Sequence, residues 1–240
     1  GSASQAGSYC TNAEAAGVVK AINAQFELMN VSSKILIPEA GGLNYLSSVV
    51  SGESATSNQA TSFWGTASAN YVGNQSHVSN YVAGHSYWIN ADVNTAVSIR
   101  QALVNKMKLV NPSLQYWQTE FSLLEDASDG KTEMAPMDYS MFISRVIHFD
   151  LVEGNCSGWS FWTSLSRPGA ADHAYRFALI NWYPNAESRA ACTDGDFGVT
   201  KNLWTLGNYS RFIRPGYKRV NVGRSDGLTS VTAAHGQMAS

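Results

Sequence analysis

The stretch LQYWQTEFSLLED, Leu114–Asp126, sets an apolar and aromatic run just ahead of a carboxylate, Glu120, and turns polar at Glu125-Asp126. Leu114, Tyr116 and Trp117 have the character of a strand that faces packed neighbours. A carboxylate at the end of such a strand is costly to desolvate unless it has partners or a task. Glu120 therefore asks what the rest of the chain brings to the same place.

Outward from this strand, the pattern alternates. Upstream, Thr11-Asn12-Ala13-Glu14 is a capping box, and Ala16, Val19, Ile22, Phe26 and Met29 recur behind it at helical spacing as far as Asn30. KILIP, Lys34–Pro38, reads as a buried strand that leads into Glu39 and the Gly41-Gly42 pair. From Ala40 to Asn80 the chain is rich in Ser, Asn, Ala and Gly, and Tyr45, Phe63, Trp64 and Tyr71 are spread along it. The expectation is a long loop whose aromatics build a binding rim. Val82–Tyr87 reads as a strand, Val93–Val110 as a helix stopped by Asn111-Pro112, and Leu114–Glu120 as the strand of the opening stretch.

A polar loop with Gly130 and Pro136 follows, then a helix over 137–152 with Phe142, Val146 and Phe149 on one face, then a strand at GWSFWT, 158–163. Farther on, Tyr175–Trp182 reads as a strand, 200–213 as a helix, and 217–222 with 227–232 as a hairpin. Four strands that alternate with helices predict parallel pairing through right-handed crossovers, so that all four strand C-termini meet at one edge. That edge would collect Glu39, His85 with Tyr87, Glu120 and Trp162. In a (β/α)8 barrel and in an open doubly wound sheet alike, this edge carries the chemistry.

The 240 residues are 44% hydrophobic and 11% aromatic, enough for one core. Charged residues make up only 14%, against roughly 25% in an ordinary soluble protein. Ser, Thr, Asn and Gly take their place, a surface suited to an extracellular protein that meets neutral polymers. A net charge of −2 without a basic run argues against nucleic acid as a partner, and no stretch is apolar and long enough to span a membrane. Four Asn-x-Ser sequons, at Asn30, Asn74, Asn155 and Asn208, bear only on a secreted eukaryotic protein. Cys10, Cys156 and Cys192 have no metal-ligand spacing. They are compatible with three reduced thiols or with a Cys156–Cys192 pair.

Position alone leaves Glu120 equally compatible with an Arg partner, a helix cap or a reacting carboxylate. An aromatic-rich edge with carboxylates on separate strands suits glycoside cleavage, in which one carboxylate attacks the anomeric carbon or activates water while another protonates the leaving oxygen. His85 has no Cys or Glu ligand set around it, so it reads as a hydrogen-bonding residue, and Tyr87, two positions on, would share its strand face and reach Glu120 with its phenol; a plain core His and Tyr are the alternative. Glu125, Asp126 and Asp129 read as a solvated loop, and Asp194-Gly195-Asp196 as a turn too short for an EF-hand. Neither a metal nor a cofactor is expected.

The segments YWQTEFS (116–122), GHSYW (84–88), GWSFWTSLS (158–166) and above all LWTLGNYSRFIRPGYKRV (203–220) resemble glycoside hydrolase family 30 in order and spacing. The resemblance implies an α/β fold, a (β/α)8 TIM barrel with an appended β-sandwich. Of that barrel this chain would hold the second half, strands 5 to 8, over residues 1–215, and the beginning of the sandwich over 216–240. It implies that Glu120 is the nucleophile of a retaining hydrolase, with Tyr87 ending strand 6 and Trp162 ending strand 8 beneath the sugar. Glu39, His85 and Trp88 complete the expected substrate-binding set.

The family's acid/base is the Glu of an Asn-Glu-Pro motif on strand 4. That motif does not occur in these residues. GSASQAGSYCTN (1–12) resembles the segment just after it, so the chain as given is expected to be inactive alone. AGHSYW, IRPGYKRV and the Ser/Asn-rich strand-5 loop most resemble members acting on β-1,6-galactan, with β-1,6-glucan and xylan as alternatives. The implied protein is secreted, monomeric when whole, and partnered by a polysaccharide or oligosaccharide rather than by nucleic acid or a membrane. A carbohydrate-binding barrel without catalysis is the rival reading.

Overall fold

The structure, a computed structural model, describes residues 9–123, 136–167, 178–185, 194–220 and 234–235. The described chain divides into two compact units. The first runs to Phe121 and takes in Phe149–Ser160, and the second holds the residues up to His148 on the intervening helix and those from Phe161 on.

The first unit opens with α1, Asn12–Leu28, capped as the sequence predicts: Thr11 Oγ1 accepts from the Glu14 amide, and Glu14 accepts from the Thr11 amide. Its buried stripe is Asn12, Ala16, Val19 and Asn23, whereas Ile22 and Met29, expected on the core face, are exposed. The stripe tolerates Asn23 because its amide is satisfied: it donates to Glu27 and accepts from the His77 backbone. Periodicity alone ranks an isoleucine above an asparagine there, and hydrogen bonding reverses the order.

Four strands follow, β1 (Ile35–Ala40), β2 (Val78–His85), β3 (Gln115–Glu120) and β4 (Cys156–Trp159), all parallel and adjacent in sequence order. Val82, Ala83 and Gly84 are buried in succession on β2, the pattern of a parallel strand covered on both faces. Between β2 and β3 runs α4 (Val93–Val110), with Asp92 as its N-cap and Ala96, Arg100, Leu103 and Met107 buried. α5 (Pro136–Val152) leads into β4 and buries Phe142 and Val146.

Two expectations fail here. The segment from Ala40 to Asn80 is no open loop, since it contains α2 (Leu43–Ser47) and α3 (Gln59–Trp64). Phe63 and Trp64, expected at a binding rim, are almost fully buried and belong to the core with Leu43, Leu46 and Val72. Such short helices have too few residues for a periodic signal, yet packing turns their aromatic side inward. The fourth strand stops at Trp159 rather than running to 163, so Trp162 lies beyond it, in the second unit and about half exposed.

The second unit pairs β5 (Leu165–Ser166) with β6 (Ile180–Pro184), and β6 antiparallel with β7 (Gly195–Val199). Asp196, read as part of a turn, sits on β7 opposite Tyr183. α6 (Lys201–Ser210) follows, and Ser140 and Ser144 of α5 bond to its Asn202 and Tyr209. β8 (Lys218–Arg219) pairs antiparallel with β9, Ala234–His235. The predicted partner strand 227–232, residues 175–177 of the predicted fifth strand, Cys192 and the Glu125, Asp126 and Asp129 group lie outside the described residues. Cys10 and Cys156 are free thiols.

Candidate active site

Register decides what meets at the C-terminal edge of the parallel sheet. His85, the last residue of β2, is the direct partner of Glu120, the last residue of β3. Each neighbouring pairing slips by one residue near this edge. Between β1 and β2 the slip falls between Pro38 and Ala40, leaving Glu39 as the extra residue, and between β2 and β3 it leaves Thr119. An extra residue bends a strand and re-aims its side chain. Glu39 has φ of +67°, a left-handed conformation that a non-glycine residue adopts at a cost.

These irregularities bring two carboxylates to one imidazole. His85 Nε2 lies 3.0 Å from Glu39 Oε2, and Nδ1 lies 3.9 Å from Glu120 Oε1. Thr119 Oγ1 donates a short hydrogen bond to the same Glu39 oxygen. Partial burial on its own would raise the Glu39 pKa, but the hydrogen bonds from His85 and Thr119 and the histidine's charge outweigh it and hold the carboxyl below its ordinary value. Glu39 is therefore an anion near neutrality.

Tyr87 donates its phenol to Glu120 Oε1 at 3.2 Å, the contact the sequence reading expects. The route to that contact differs. β2 ends at His85, and Tyr87 stands in the turn beyond it rather than on a shared strand face. The turn is set by its own bonds: the Tyr87 amide donates to Gly41 O at 3.2 Å, and the ring stacks on Phe121 at 5.4 Å between centroids. Tyr87 is buried, whereas Trp88 next to it is 49% exposed and lies over Gly41. Side-chain exposures of 33% for Glu120 and 16% for His85 leave both within reach of a ligand.

Beneath this turn is a buried ion pair. Arg100 Nε donates to Asp150 Oδ1 at 2.7 Å, and neither residue is exposed. Asp150 also accepts from Ser86 Oγ at 2.8 Å and from Trp159 Nε1 at 2.9 Å. Burial, reinforced by the Asp150 charge, pushes the Tyr116 hydroxyl well above its usual range and the Cys156 thiol up to about 12. Both stay neutral and serve as hydrogen-bonding groups: Tyr116 to Ser86 Oγ, Cys156 to Gly158 O.

Of the residues singled out in the sequence, Glu39, His85, Tyr87, Trp88 and Glu120 come together in the first unit, while Trp162 belongs to the second. Thr119, Gly41, Phe121 and Ser86 were not anticipated. Thr119 carries no sequence signal because a slip of register, not a strand period, exposes it. Among the described residues no cluster of His, Cys, Asp or Glu is arranged to hold a metal, and no helix is long and apolar enough to cross a membrane.

Comparison with known proteins places this geometry in context. The profile of O-glycosyl hydrolase family 30 matches residues 1–175. A conserved exported protein from Bacteroides fragilis is similar in structure, with a TM-score of 0.80 and 27% identity over 94% of this chain and 45% of that one. A family 30 endoxylanase from Clostridium papyrosolvens C71 matches with a TM-score of 0.53 and 19% identity, covering 97% of this chain and 44% of its own. An endo-β1,6-glucanase matches with a TM-score of 0.52 and 16% identity, over 91% and 43%. The last two are likenesses of fold. The chain thus spans less than half the length of each of these structures. No curated protein matches it.

Proposed function

Since the chain belongs to O-glycosyl hydrolase family 30, we propose that in the whole protein it forms strands 5 to 8 of a (β/α)8 barrel and carries the nucleophile of a retaining hydrolase. Residues 1–215 would be the barrel half, and 216–240 the start of an appended β-sandwich. The observation that supports this most is the placement of Glu120: last on its strand, partly exposed, and held by the Tyr87 phenol.

In this reading Glu120 attacks the anomeric carbon and the glycosidic oxygen leaves with a proton from a second carboxyl. Water, deprotonated by that same group, then releases the sugar with its configuration kept. Retention needs the two carboxyls about 5–5.5 Å apart. Glu39 is a poor proton donor, because His85 and Thr119 stabilise it as an anion. The acid is therefore assigned to the strand-4 glutamate that the family resemblance places before residue 1. Glu39 with His85 would bind sugar hydroxyls, and Trp88 and Trp162 would offer faces for sugar C–H groups.

The substrate is a β-linked polysaccharide, β-1,6-galactan in the first instance, with β-1,6-glucan and xylan next. The named activities of the endoxylanase and the endo-β1,6-glucanase support the class rather than the sugar. Secretion is supported by the likeness to an exported protein, and the whole enzyme is expected to act as a monomer. A 2-deoxy-2-fluoro glycoside with a good leaving group tests the reading on the whole protein. Mass spectrometry should find the label on the peptide holding YWQTEFS, and Glu120→Gln should abolish it. Label on Glu39, an inverted product by NMR, or binding of the polysaccharide without turnover would each overturn it, the last in favour of a carbohydrate-binding barrel.

A further inference from the structure

We propose that the buried Arg100–Asp150 pair is a positioning device for the active-site turn, holding Ser86 and Asn90 so that Tyr87 between them stays on Glu120. The proposal rests on the reading of Glu120 as nucleophile, and it adds residues that act on Glu120 through Tyr87 rather than directly.

The turn is gripped on both flanks of Tyr87. On one flank, the fully buried Ser86 lies with Oγ 2.8 and 3.0 Å from the two Asp150 oxygens. On the other, Asn90 Oδ1 accepts from Arg100 Nη2 at 3.0 Å, and its amide nitrogen donates back to Ser86 O, closing a ring of bonds around the turn. The pair is itself fixed to the scaffold. Arg100 projects from α4 and donates also to Ala96 O, and Asp150, near the end of α5, accepts from Trp159 on β4. Three elements thus converge on one five-residue turn.

A buried ion pair contributes little net stability, because desolvation offsets most of the attraction. What this one supplies is a set of fixed donors and acceptors aimed at a backbone segment. Trp88, within the same segment, has φ of +61°, so the turn includes a conformation that a free tryptophan rarely adopts. Rigid support of this kind keeps a hydrogen bond such as the one from Tyr87 to Glu120 from loosening.

Asp150→Asn leaves Arg100 without its counter-charge and is liable to unfold the protein, so Ser86→Ala is the decisive variant. It removes one anchor and leaves the ion pair intact. In the whole enzyme, kcat should fall about tenfold with KM nearly unchanged, while Tm falls by a few degrees because a buried hydrogen bond to a charged group is lost. In a Tyr87→Phe background the same change should alter kcat by less than about twofold, since coupled residues are not additive. A second readout needs no turnover. 3-Fluorotyrosine placed at position 87 should show a shifted and broadened 19F resonance in Ser86→Ala. An unmoved resonance, or full additivity with Tyr87→Phe, would overturn the proposal. A moved resonance in a protein that binds sugar without cleaving it would uphold the positioning and sink only the catalytic reading.

Discussion

On the proposed reading of Trp88 as a sugar-stacking residue, replacing Gly41 by alanine should weaken sugar binding while leaving the fold intact. A methyl carbon there would sit 2.8 and 3.2 Å from two carbons of the Trp88 ring and 3.9 Å from a third. Carbon atoms attract best at about 3.5–4.0 Å, so the ring would have to retreat by about 1 Å. Trp88 is 49% exposed and its ring is the far end of a flexible side chain, so the retreat disturbs little buried packing. Gly41 does not have a positive φ, and alanine fits its backbone. Stability should therefore change by less than about 0.5 kcal/mol. If a sugar face on an aromatic ring is worth as much as an aromatic pair, losing the alignment costs about 0.5–1.5 kcal/mol, or about 2- to 13-fold in Kd. Calorimetric titration of oligosaccharides into the whole protein, beside thermal unfolding and with Trp88→Ala as the upper limit, measures both quantities. Wild-type affinity in Gly41→Ala alongside a large loss in Trp88→Ala would refute the argument. So would a marked fall in Tm.

Gly84→Ala makes the contrasting case: its methyl would meet Leu46 Cδ1 at 2.7 Å inside the core, and denaturant unfolding should register a loss of about 1–3 kcal/mol. An unchanged midpoint would mean that Leu46 of α2 does not pack against β2 at Gly84. Glu39 has a lowered pKa, so its ionised form adds stability above its ordinary value of 4.5, and that gain is lost as pH falls through the lower folded value. Wild type should therefore unfold later than Glu39→Gln near neutrality, the gap closing in acid below pH 4.5; a gap independent of pH would show that the His85 and Thr119 bonds do not stabilise the anion. The Cys156 thiol, raised to about 12, should resist iodoacetamide in the folded protein at mildly alkaline pH, while exposed Cys10 reacts. Mass mapping of the alkylated peptides reads this directly, and rapid modification of Cys156 would contradict its burial.

The sequence by itself determined the alternation of strands and helices, the capping of α1 and the placement of Glu120 at a strand end. Each of these depends on neighbours close along the chain: a period of two or of 3.6, or a Thr-x-x-Glu spacing. It also carried the family, because the short segments around His85, Glu120 and Trp159 are distinctive in order. The tertiary structure alone decided the rest. Asn23 takes a core position from Ile22 because residue 77, far along the chain, satisfies its amide. Phe63 and Trp64 become core rather than rim because α2 and α3 fold inward. The approach of Glu39 and Thr119 to one another, across an intervening strand, follows from two slips in register that leave no mark in composition or period. The grip of Arg100 and Asp150 on the Tyr87 turn likewise joins residues fifty positions apart. Local patterns fix which face a residue prefers; register, bulges and buried hydrogen bonds fix which side chains meet.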